Sequence, residues 1–89
     1  MPRTIRLSSD QARIGARLRA ARRALGMTQA QIAAACHISP QAWSGWERGA
    51  DNPDPLVLRR AFKSFGISLD WVYAGSLAST GSELAAKLR

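Results

Sequence analysis

Apolar residues recur at helical spacing along most of the chain, and no stretch alternates over strand length with β-branched residues, so the pattern predicts an all-α fold. The first helix is expected from about Asp10 to Leu25, after a cap at Ser8 or Ser9. Ile14, Leu18, Ala21 and Leu25 share a narrow arc of it, Arg19 and Arg23 lie opposite, and Arg17 and Arg22 flank the buried stripe. Gly26 stops it. Gly49 ends a later helix, and a polar turn through Pro53 leads to Asp54 and Pro55, which open another with a cap and an N1 proline. There Leu58, Ala61, Phe62 and Phe65 face inward, opposite Arg59, Arg60 and Lys63. Gly66 closes it, and Ser68 caps a short fifth helix, LDWVYA, stapled by Ile67 and Val72 and stopped at Gly75. The last segment, SELAAKLR, reads as one or two further turns.

Between Gly26 and Gly49 lies the most specific pattern. Thr28 caps a helix, Gln31 completes a capping box, and Met27 with Ile32 forms a hydrophobic staple. Ser39 caps the next, Pro40 takes its first position, and Ile38 with Trp43 repeats the staple. Only His37 and Ile38 remain as the turn. Two short, separately capped helices joined this closely predict a helix-turn-helix over residues 28–48, its second helix presented outward. Ala33 sits where two steeply crossing helices need a side chain no larger than a methyl, with Ile32, Trp43 and Trp46 buried beneath.

Charge narrows the partner. The chain of 89 residues carries a net charge of +7, and seven arginines (Arg3, Arg6, Arg13, Arg17, Arg19, Arg22, Arg23) precede residue 24 with only Asp10 against them. A polyanion is the indicated partner, nucleic acid before a membrane surface or an acidic protein. The length fits one domain with a modest core. The lone Cys36 forms no intrachain disulfide and has no zinc spacing, so it is expected as a small buried hydrophobe in a reducing compartment. No apolar run reaches membrane-span length and the N-terminus has no signal-peptide core, which predicts a cytoplasmic location without a membrane. Nor is there a carboxylate pair beside a histidine, a phosphate-cradling glycine loop or an activated Ser or Cys. No enzyme, cofactor or metal is expected.

Taken in order, these residues resemble the Cro and lambda-repressor-like (XRE) helix-turn-helix family of bacteria and phages. The carriers run from Ile14 to Gly75: Arg22 with Gly26, Thr28-Gln29, Ile32-Ala33, Ile38-Ser39, Trp43 and Trp46, Glu47-Arg48-Gly49, Pro53, and Ile67 to Trp71. The breaks along the chain set off a flexible basic N-terminal arm over 1–9 and a tail or short helix over 76–89, and the resemblance implies a compact five-helix bundle for the domain over 10–75. It also implies a pairing of Arg22 with Glu47 and a backbone contact from Gln29 that braces the recognition helix.

In such a domain the recognition helix 40–48 enters the major groove. Base readout then falls to Pro40, Gln41, Ser44 and Gly45, with Gln41 suited to adenine N6 and N7. Thr28, Gln29, Ser39, Arg48, Arg13 and Arg17 are the candidates for positioning on phosphates, and Arg3 and Arg6 for phosphate or minor groove. His37 stands where the family usually has a glycine in the left-handed turn. The function expected is a sequence-specific transcriptional regulator, a repressor acting as a homodimer on a palindromic site in double-stranded DNA. The alternative is an adaptor or antitoxin-type module that uses the same fold, with Trp71, Tyr73 and the tail, to bind a partner protein.

Overall fold

The computed structural model describes residues 2–76 and 82–88, and side chains over 10–76 and 84–88. Among the described residues there are six helices and no strand: α1 (Pro2–Ala24), α2 (Gln29–Ala35), α3 (Pro40–Glu47), α4 (Pro55–Phe65), α5 (Leu69–Ala74) and α6 (Ser82–Leu88).

Local chemistry sets most boundaries. The Thr28 hydroxyl accepts from the Gln31 N–H at 3.1 Å while the Gln31 side chain accepts from the Thr28 N–H at 2.9 Å, the reciprocal pair of a capping box. Ser39 accepts from Ala42 at 3.1 Å, Asp54 from Leu56 at 2.9 Å and Ser68 from Trp71 at 3.2 Å. α2 closes through His37, whose φ of 58° is left-handed. The Ile38 N–H then reaches the Ala33 carbonyl at 3.0 Å and the His37 N–H that of Ala34 at 3.1 Å, which satisfies two terminal carbonyls and turns the chain into α3.

One core serves all the helices. Leu18, Ile32, Trp43, Leu58, Phe62 and Val72 are fully enclosed, and the Trp43 ring lies 5.9 Å from Trp46 and 6.5 Å from Phe62, centroid to centroid. Ala33 is fully buried at the α2–α3 corner. Where α1 crosses the end of α3, the two backbones touch at Gly15. A Cβ there would stand 2.7 Å from the Trp46 carbonyl oxygen and closer still to that of Glu47, so only glycine permits the crossing. α6 packs on α1 through buried Ala85 and half-buried Leu84 and Leu88.

The start of α1 differs from the expectation. The helix begins at Pro2, so the backbone of residues 2–9 extends α1 instead of forming a separate arm. Pro2 suits a first turn, and Ser8 and Ser9, though competent caps, do not interrupt a helix that already has a start upstream. The side chains of Arg3 and Arg6 lie outside the described residues, as do residues 77–81 of the tail.

Candidate nucleic-acid interface

The geometry of the motif is organised around a buried carboxylate. Glu47, the last residue of α3, has a side chain with 0% exposure. Its Oε2 accepts from Arg22 Nε at 2.6 Å and from the indole N–H of Trp43. Its Oε1 accepts from Gln29 Nε2 at 3.1 Å, Arg22 Nη2 at 3.2 Å and Arg19 Nε at 3.4 Å. Arg22 also donates through Nη1 to the Met27 carbonyl at 3.2 Å. Burial alone would push the Glu47 carboxyl up. The hydrogen bonds from Arg22, Trp43 and Gln29, with the charge of Arg22, outweigh it and hold the group below the usual carboxylate range. Residues of α1, α2 and α3 thus converge on one anion, which fixes how α3 is rotated relative to the rest of the motif.

That rotation decides what α3 displays. Trp43, Trp46 and Glu47 are buried, whereas Pro40, Gln41 and Arg48 are exposed and Ser44 is half-buried on the outer side. Thr28 and Ser39 are exposed at the starts of α2 and α3, each engaged in its cap. Gln29 is half-buried and already braces Glu47 through its amide. Gly45 belongs by spacing to the outer side but is buried, because the Asp51 carboxylate lies over it: Oδ2 is 2.5 Å from the point a Cβ would occupy. The Asp51 carboxylate thus covers the backbone at Gly45, one of the positions named above for base readout.

Arg13 and Arg17 do not join this cluster. They line an open cleft of about 430 Å³ between α1 and α5 with Tyr73 and Ala74. Arg13 pairs with Asp10 at 3.5 Å, and Arg17 donates to the Val72 carbonyl at 3.0 Å, so its cation sits against the closing turn of α5. Helical spacing gives the face of such residues but not the neighbour that covers it.

Three residues important to the site escaped the sequence reading. Gly15 had a signal, an isolated glycine inside a helical pattern. Arg19 had none, since it projects from the outer side of α1 and still reaches Glu47. Asp51, in the α3–α4 turn, gives no hint in sequence that it folds back over α3. Among the described residues no group of His, Cys, Asp and Glu is placed to hold a metal, and no helix is long and apolar enough to cross a membrane. Cys36 is buried, and burial pushes its thiol pKa up, the opposite of what a reactive thiolate needs.

A helix-turn-helix family model, HTH_3, matches residues 18–72, from the buried stripe of α1 through the core residues of α5. No curated protein and no solved structure gives a match. The matched segment contains the whole motif, the residues that brace Glu47 from α1 and α2, and α3 with its outward face, and it spans more than half of the chain. The chain belongs to the XRE-type helix-turn-helix family of DNA-binding transcription regulators.

Proposed function

We propose that this protein is a sequence-specific repressor that binds a palindromic operator as a homodimer, with α3 in the major groove of each half-site. The observation that carries the proposal is the division of α3 into two faces. One is locked by the Glu47 cluster, and the other leaves Gln41 free and aimed outward beside Arg48. A glutamine in that place can accept from adenine N6 and donate to N7, a pairing that discriminates by about 1–3 kcal/mol. Ser44 and Pro40 flank it, Pro40 offering apolar contact to a thymine methyl. Thr28, Ser39 and the second amide hydrogen of Gln29 border the same surface and position it on the phosphates together with Arg48. Occupancy of two half-sites about one helical turn apart would exclude the transcription machinery from a promoter.

The adaptor reading has less to draw on, because Trp71 is buried in the core and α6 rests on α1. Tyr73 is exposed, and so are Ala86 and Lys87 of α6. Selection of binding sites from random duplex DNA tests the proposal directly. An enriched inverted repeat supports specific, dimeric binding. A folded protein that enriches nothing contradicts it and returns the search to protein partners.

A further inference from the structure

The geometry points to Asp51, a loop residue outside the recognition helix, as a determinant of base specificity: we propose that its carboxylate reads a cytosine amino group from the place that Gly45 leaves vacant on α3. The inference rests on the DNA-binding proposal above. Gln41, Gly45 and Arg48 follow one another at helical spacing on the side of α3 opposite Trp43, Trp46 and Glu47. A side chain at position 45 would stand one turn beyond Gln41, in the row that meets base edges. Gly45 has none, and Asp51 Oδ2 occupies the space, 2.5 Å from the absent Cβ. Arg48 Nη2 lies 3.9 Å from the same point.

The loop that carries this carboxylate is held in place through its backbone and through Asn52. The Ala50 and Asp51 N–H groups both donate to the Gly45 carbonyl, at 3.0 and 3.3 Å. Asn52 accepts from Gln11 of α1 at 3.1 Å, and Pro53 is buried. The backbone at Asp51 is thus fastened to α3, and the next residue, Asn52, to α1, so the loop that carries the carboxylate is placed before any ligand arrives. A carboxylate facing a duplex is repelled by phosphates and by the acceptor edges of guanine and thymine, so it is tolerated only where a donor meets it. Cytosine N4 is such a donor. The adenine amino group lies beside N7, an acceptor that opposes the second carboxylate oxygen, so cytosine is favoured.

Site selection from random duplex DNA, run in parallel on the full chain with Asp51 and on Asp51→Ala and Asp51→Asn, tests this. Near-ultraviolet dichroism of the tryptophans checks that the folds agree. The unaltered protein is expected to enrich cytosine at one position per half-site, adjoining the position set by Gln41. Asp51→Ala should lose that preference, about 5- to 100-fold between cytosine and the other bases, while binding random DNA more tightly because a negative charge is gone. Asp51→Asn should shift the same position toward adenine. If the Asp51→Ala profile superimposes on that of the unaltered protein, the inference is overturned and the DNA-binding proposal stands. If the unaltered protein enriches no sequence, both fall.

Discussion

At the scale of single residues, His37 and Glu47 show opposite uses of a costly environment. His37 is exposed and takes the left-handed conformation that ends α2, at a cost of about 1–2 kcal/mol for a side chain with a Cβ. Glycine would remove the cost but lose more chain entropy on folding. His37→Gly is therefore expected to stabilise the protein by roughly 0.5–1 kcal/mol, read as a higher urea midpoint with an unchanged slope. A lower midpoint would mean that the imidazole makes a contribution of its own. Glu47 instead is buried and fully partnered, and its value lies in what its removal exposes. Glu47→Ala leaves Arg22, itself 15% exposed, without its anion, at an expected cost of about 3–5 kcal/mol. The pH dependence has a definite sign. With its folded pKa held below the unfolded one, Glu47 contributes its full stabilisation above the ordinary carboxylate value of about 4.3, and loses it as pH falls through the folded value. Comparing stability from neutral pH down through that range in the natural protein and in Glu47→Gln checks this: the variant should show a shallower decline. Equal slopes would assign the acid sensitivity to other carboxyls.

At the scale of elements, the crossing of α1 over α3 sets the pose of the recognition helix, and Gly15 makes the crossing possible. In an exposed helix interior, exchange of glycine for alanine gains up to about 1 kcal/mol. Here the added methyl meets the Trp46 and Glu47 carbonyls, so Gly15→Ala is expected to reverse that sign and cost about 1–3 kcal/mol or more, while displacing α3 enough to weaken DNA binding. Thermal melts and binding curves on the same samples would show both losses; a melting temperature at or above that of the natural protein would refute the tight crossing. This contact also marks the limit of what the sequence makes legible. Thr28 with Gln31, Ser39, Asp54 and Ser68 cap their helices through partners two or three residues away, so those starts can be read from the chain. The start of α1 could not, because Ser8 and Ser9 are both plausible caps and nothing local ranks them below Pro2. Arg22 and Glu47 are 25 residues apart and were linked only through the family resemblance. Arg17 against α5 and Asp51 over Gly45 depend on which element lies opposite, and periodicity carries no record of that.

At the scale of the whole molecule, the basic charge is not concentrated on the outward face of α3. That face carries Arg48 and, beside it, Asp51, whereas Arg13, Arg19 and Arg23 lie on α1 and Arg59, Arg60 and Lys63 form an exposed stripe on α4. Charge of this kind acts at a distance: it raises the rate of encounter with a polyanion and the affinity for any sequence, but carries no information about bases. The two contributions should separate by mutation. Arg59→Glu with Lys63→Glu changes two exposed positions away from α3, so it should leave the fold and the ranking of sites unaltered while weakening every site by a similar factor at low salt. That factor should shrink as salt rises, since the Debye length is about 10 Å at 0.1 M and about 3 Å at 1 M. Gln41→Ala should do the reverse, flattening the preference at its base position by about 1–3 kcal/mol with little change in salt slope. Titrating a preferred and a scrambled duplex with both variants at several salt concentrations distinguishes the roles. A change of site ranking in the α4 variant would move α4 into the interface, and a uniform loss in Gln41→Ala would make that residue a positioning contact.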